Sequence, residues 1–245
     1  MSINGLVSKI TLTLCLGGVS HAYAESVTDP INTFGIIASH NKYTVELDGF
    51  EYDTGLKRTQ GGLFYTFGNK LTGHGGLIYQ IGVEGQYSQH NELTYKSAKA
   101  EFDIGARAAL STYNYVDIIL GGGYSRDRIE LEFSGLPLEL HQTTKSPFAK
   151  AGLGYSYLTP NHTIRVEVGA RYSIDPRVEV QLGGPSESVD LENKVNPYGE
   201  LSVLWNKKGM PISTSLYYMN THYQIENDIS EVKQRQIGMK VGLAF

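Results

Sequence analysis

The sequence predicts an all-β protein, a closed antiparallel transmembrane β-barrel of ten strands, and three observations carry that reading. Apolar and polar residues alternate with period two over stretches of roughly fifteen residues. That is longer than the roughly 5–6 residues of a common soluble strand, and longer than the roughly 9–11 that a tilted strand needs to cross a bilayer. The polar partners in these stretches are charges of both signs and glycines, so one face is wholly apolar and the other suits a polar interior. Aromatic residues crowd the ends of the apolar stripes, where a membrane barrel carries its girdles.

The elements follow in order. Residues 1–24 have Lys9 as their one charge, then the apolar run from Ile10 to Val19, then Ala22-Tyr23-Ala24. That is the pattern of a cleaved export signal, and residues 25–245 read as one barrel domain. The lone cysteine, Cys15, falls in the signal, so no disulfide or thiol chemistry is expected of the rest. Strands are predicted at 33–48, 59–68, 74–90, 93–110, 114–133, 138–158, 162–178, 191–206, 210–226 and 230–245. In the third, Leu77, Tyr79, Ile81 and Val83 alternate with Gln80, Gly82 and Glu84. In the fourth, Ala98, Ala100, Phe102, Ile104 and Ala106 alternate with Lys99, Glu101, Asp103 and Arg107. In the seventh, Ile164, Val166, Val168, Ala170 and Tyr172 alternate with Arg165, Glu167 and Arg171. The first strand changes its apolar parity between Ile36 and Tyr43, which predicts a bulge. The fifth changes from even (Val116 to Tyr124) to odd (Ile129, Leu131, Phe133), which predicts a hairpin projecting past the bilayer beyond a bulge. "FGNKLTG", "STYN", "TPNH" and "NKKG" read as tight turns of the periplasmic rim; the other connections face outward. Eight or twelve strands are the alternatives, because a hairpin can be split or merged.

Composition excludes other classes. A formal net charge of −4 offers no basic footprint for nucleic acid. With 40% hydrophobic residues and a mean hydropathy of −0.24, the chain is too polar for a bundle of membrane helices, each needing roughly 20 apolar residues.

The ending "MKVGLAF", an aromatic last residue preceded by alternating apolar ones, resembles the C-terminal strand of Gram-negative outer-membrane β-barrels. The strands "AGLGYSYL" and "ILGGGYSR" resemble those of small opacity-type and porin-like barrels, and "RQIGMKVGLAF" is similar to the ending of the neisserial Opc-type adhesin. The resemblance implies residence in the outer membrane. It also implies recognition of Val241, Leu243 and Phe245 by the barrel-assembly machinery. The Opc-type likeness implies glycosaminoglycan binding through basic loops, whereas the outward loops here are mixed or acidic.

Parity assigns an inward set: Glu84, Lys99, Glu101, Asp103, Arg107, Asp117, Lys150, Arg165, Glu167, Arg171, Glu200 and Lys240. Six acids face six bases, as mutual pairing in a narrow lumen needs. Ten strands sit near the filled end of the barrel series, so a salt-bridged plug is expected, with a narrow channel for small hydrophilic solutes as the alternative. Lys240 is expected to point toward an acid such as Glu200. Tyr65, Phe67, Tyr155, Tyr157 and Trp205 are expected in the periplasmic girdle, and Tyr87, Tyr95, Phe133, Tyr172 and Tyr223 toward the outside. Omptin proteases also use ten strands, but the sequence around Glu51, Asp53, His222, Glu226 and Asp228 does not match their motifs. No enzyme is expected. No cofactor is expected, and the scattered histidines lack metal-ligand spacing. The reading is a monomer in outer-membrane lipid with an adhesin-like role, meeting a host or surface ligand through 48–59, 126–144 and 180–190.

Overall fold

The computed structural model describes residues 30–47, 50–90, 92–132, 139–182, 184–225 and 231–245, with backbone alone for 45–47, 50–56, 132 and 139. The export signal expected at 1–24 lies outside the described residues. Ten long strands form the barrel: β1 (Ile31–Leu47), β2 (Phe50–Gly68), β3 (Gly76–His90), β4 (Leu93–Ala109), β5 (Asn114–Glu132), β6 (Glu139–Leu158), β7 (Thr163–Ser173), β10 (Val195–Trp205), β11 (Ile212–Gln224) and β12 (Glu231–Ala244). A short hairpin of β8 (Arg177–Leu182) and β9 (Glu187–Asp190) continues the wall beside β6. The order β5-β4-β3-β2-β1-β12-β11-β10-β7-β6, with β5 also paired to β6, closes the sheet. Closure removes free strand edges, which lipid would not tolerate. The rim carrying the start of β1 and the end of β12 is called proximal below, and the opposite rim distal. At the proximal rim Asn32 and Phe245 exchange backbone hydrogen bonds of 2.8 and 2.9 Å.

The distribution of polarity is inverted relative to a soluble protein. Ile36, Leu77, Ile118, Leu120 and Leu153 are among the most exposed large apolar residues, whereas Asp103, Arg107, Asp117 and Arg165 are buried. On β5 this lipid-facing set runs from Val116 to Tyr124, with Leu120 at its centre and 60% exposed. Leu120→Arg is expected to cost about 2–4 kcal/mol, the penalty for a cation at the bilayer midplane. Urea unfolding of the lipid-reconstituted protein measures it.

Two expected bulges are placed differently. β1 stays in one register with β12 from Thr33↔Ala244 to Glu46↔Glu231. The irregularity falls on β2, where Lys42↔Lys57 is followed by Thr44↔Asp53. β5 runs without a break against β4 and β6. In both β1 and β5 the apolar side changes while the strand does not, because water replaces lipid outside the distal wall. The predicted seventh strand is instead divided. Phe148 pairs with Ser173 and Lys145 with Arg177, so β7–β8 carries one extra residue. Asp175, at φ 43, lies in that bulge, in a left-handed conformation that aspartate tolerates better than most residues.

Candidate functional site

The site is the interior, and its side chains are set by strand parity. All twelve residues assigned inward from the sequence face the lumen, and all but Glu200 join ion pairs there. Glu84 meets Lys240 at 2.7 Å and Lys99 at 3.0 Å. Glu101 meets Arg171 at 2.7 Å, Lys99 at 3.5 Å and Lys150 at 3.7 Å. Asp117 accepts from Arg107 at 2.6 Å and also from Arg165, and Arg165 reaches Glu167 at 3.1 Å. Lys240 ion-pairs with Glu84, while Glu200, to which Ser202 donates at 2.9 Å, attracts it from beyond ion-pair distance. Parity gives the face of each strand but not the depth at which opposite walls meet.

At the centre is a closed square of charges. Lys70 binds Asp103 at 2.6 Å and Glu167 at 2.8 Å; Lys150 binds the same two acids at 2.8 and 3.1 Å. Each side chain in the square is at most 7% exposed. Charges this far from water persist only when paired on several sides.

Lys70 was not visible to parity, because it sits in the turn between β2 and β3. That turn does not lie on the rim. It folds into the proximal mouth, where Arg107 donates to the carbonyls of Lys70 and Gly73 at 2.7 and 2.5 Å. Thr163 donates to the carbonyl of Leu71 at 2.8 Å, and Leu71 packs on Ile31, Leu204 and Ala244. Asn69 braces the turn, accepting from the Tyr79 amide at 2.8 Å. An apolar Leu71 at the tip of a turn was the available signal. A water-exposed turn has no use for it.

Glycines make room for this packing. A Cβ on Gly154 would lie 2.3 Å from Nη2 of Arg165, and one on Gly238 would lie 2.3 Å from the Tyr217 ring. Two voids in the charged region measure about 60 and 40 Å3, enough for a few waters each.

The expected girdle residues Tyr65, Tyr155, Tyr157 and Trp205 lie on the outer surface toward the proximal rim. Phe67 is half-buried there against Tyr79, with ring centroids 6.0 Å apart. Tyr65 and Tyr155 donate to Asn32 and Asn114. Leu243 and Phe245 also face outward, 38% and 39% exposed, as does Val241 by register. Toward the distal rim Tyr87 and Tyr172 are outward, but Tyr95 and Tyr223 are not. Both point inward and line a distal cavity, and Phe133 lies outside the described residues.

The acids considered for protease-like chemistry are Glu51, Asp53, Glu226 and Asp228, alongside His222. Glu226 and Asp228 lie outside the described residues, as do the side chains of Glu51 and Asp53. His222 is on the outer wall, with Nδ1 2.6 Å from Glu231 and Nε2 3.0 Å from Asn220. Among the described residues no group of three or more His, Cys, Asp or Glu could hold a metal ion.

No protein-family model matches the chain, and no curated protein sequence matches it. Solved structures do resemble it. The outer-membrane protease OmpT from Escherichia coli aligns over 90% of this chain and 98% of its own, at 9% identity and a TM-score of 0.57. The translocator domain of the autotransporter NalP from Neisseria meningitidis aligns over 97% and 96%, at 11% identity and a TM-score of 0.45. Ail, the attachment invasion locus protein of Yersinia pestis, aligns over 89% and 100%, at 12% identity and a TM-score of 0.31. At these identities the likeness is one of fold, and activity does not follow from fold. A closed ten-stranded antiparallel wall, with an apolar belt outside and charges within, is an outer-membrane β-barrel, and the protein resides in the outer membrane.

Proposed function

We propose that this protein is a closed, non-enzymatic barrel acting at the cell surface, an adhesin-like platform of the opacity or Opc-like kind. The uninterrupted ion-pair network across the lumen carries the reading. Glu84, Glu101, Asp103, Glu167 and Asp117 are bridged in turn by Lys99, Lys150, Lys70 and Arg165. A channel for hydrophilic solutes would need a continuous wet path instead. The proximal rim is then periplasmic. The distal wall, projecting beyond the girdle, bears mixed charges on its water face: Lys96 with Glu130, Lys145 with Glu179 and Arg177 with Asp190. Such a surface suits a polar, charged partner such as a host or bacterial surface ligand. The outward Val241, Leu243 and Phe245 are the segment offered to the barrel-assembly machinery.

Planar-bilayer recording tests the closed lumen. The purified protein is expected to give no steady unitary current, and a reproducible small conductance would overturn the reading in favour of a narrow porin. The surface role is tested by replacing 126–144 with a tight turn. Heat-modifiable gel migration should persist while binding of displaying cells to a ligand-coated surface is lost; unchanged binding would remove this hairpin from the role.

A further inference from the structure

Above the distal girdle the wall reverses its polarity. On β5, Arg126, Arg128 and Glu130 follow Tyr124 on the outer face, so Ile129 points inward. On β4, Lys96 is outside and Tyr95 inside, 3% exposed. The Asp175 bulge has the same effect on β8: Arg177 and Glu179 pair with Asp190 and Lys145 on the outside, and Val178 and Val180 turn in. Tyr43 of β1, Tyr223 of β11 and Val232 of β12 also line the space, together with the polar Gln142, Thr144 and Gln234. Water outside and apolar side chains inside is the logic of a soluble ligand-binding barrel.

The enclosed space is a cup of about 460 Å3. That is within the range of roughly 300–1,000 Å3 found for small-molecule sites, which are mostly apolar with a few placed polar groups. Here the placed group is Asp127, which lines both the cup and the small void below it. Tyr95 donates to its Oδ1 at 2.5 Å. Among the described residues no cation lies within ion-pair distance of it. Arg58 of β2 sits over the Tyr95 ring, 6.0 Å from its centroid. The cup lies beyond the charge network, so occupancy does not require conduction.

We propose that the cup binds a small apolar molecule bearing one amine, its body against Ile129, Val178, Val180 and Tyr223 and its ammonium on Asp127. The site goes beyond the surface role and stands or falls separately from it. Three other features agree. The single carboxyl sets the orientation of a ligand. The tyrosines Tyr43, Tyr95 and Tyr223 offer aromatic faces to a cation. Shelter from water pushes the Asp127 pKa up to about 6, which the Tyr95 hydrogen bond only partly offsets. Asp127 is three residues beyond the end of the lipid-facing set on β5, outside the spanning segment.

The test uses the full protein in lipid nanodiscs, titrated calorimetrically with octylamine, 1-octanol and octanoate, with empty nanodiscs as the reference for lipid partitioning. Saturable binding is expected, tightest for octylamine and weakest for octanoate. Ile129→Trp and Val180→Phe, which fill the cup, are each expected to reduce octylamine affinity at least ten-fold while heat-modifiable migration persists. Asp127→Asn should bring octylamine down to the affinity of octanol. Raising the pH from 5 to 7 ionises Asp127 and leaves the amine charged, so octylamine affinity should rise in the parent and stay flat in Asp127→Asn. The neighbouring groups Tyr43, Tyr95, Tyr223 and Arg58, and the deeper Lys99 and Glu84, are common to both proteins, so the difference isolates Asp127. Heats no greater than those of empty nanodiscs, or affinity unchanged by both cup-filling variants, overturn the site. Equal affinity for the amine and the alcohol, unaffected by Asp127→Asn, overturns the headgroup assignment.

Discussion

Asp117→Ala is expected to lower folding stability by about 3–5 kcal/mol, the cost of breaking a buried ion pair from one side. Asp117 holds two guanidinium groups at once. Arg107 donates to both of its oxygens, at 2.6 and 2.9 Å, and Arg165 donates to the second. The Asp117 and Arg107 side chains are both 0% exposed, so neither arginine can turn to water when the carboxylate is lost. Arg165 retains Glu167 at 3.1 Å. Arg107 retains neutral acceptors: the carbonyls of the inserted turn and Ser156 at 3.2 Å. The damage should therefore extend to the turn that closes the proximal mouth. Urea unfolding in lipid, followed by fluorescence of the single tryptophan, Trp205, measures the loss. Glu130→Ala provides the contrast, since Glu130 pairs with Lys96 and Arg128 on the outer wall, where exposed pairs contribute less than about 1 kcal/mol. Equal losses for the two variants would mean that water screens Asp117 as well, and that the interior is wet.

Much of this was legible in period-two alternation, because in a barrel of this size parity alone separates lipid from lumen. It identified the strands and the inward charges, including those of β7 and β12. It also contained the inward position of Tyr95, which shares the odd parity of Lys99 and Glu101, and of Tyr223, which is out of phase with Leu216 and Tyr218 on the lipid side. Reading both as girdle residues rested on assuming that aromatic side chains near a membrane edge face lipid. The same assumption turned the parity changes of β1 and β5 into strand bulges. An alternating strand reports which side is apolar, and only the surrounding medium says whether that side is out or in. Lys70 escaped for a different reason. Turns carry no period, and the insertion of this one depends on Arg107, Thr163 and Asp103, which lie 30 to 100 residues away along the chain.

Removing the central square is expected to open the barrel to ions. Lys70, Asp103, Lys150 and Glu167 bridge the lumen from a turn and three strands. Replacing all four by alanine deletes two positive and two negative charges together, leaving the net charge unchanged and no member of the square uncompensated. A charge-balanced deletion of this kind is tolerated far better than loss of one partner, so the variant should keep its heat-modifiable migration. The voids above and below the square, about 60 and 40 Å3, would then be separated by alanines in place of long side chains. Steady unitary currents are expected from the variant in planar bilayers where the parent gives none. The paired variant Lys70→Ala with Lys150→Ala sharpens the result. It leaves Asp103 and Glu167 facing the path without their lysines, so any current it carries should favour cations over anions. A silent but folded quadruple variant would show that the square braces the wall without closing it. The seal would then lie in the inserted turn itself, where Leu71 packs against Ile31, Leu204 and Ala244.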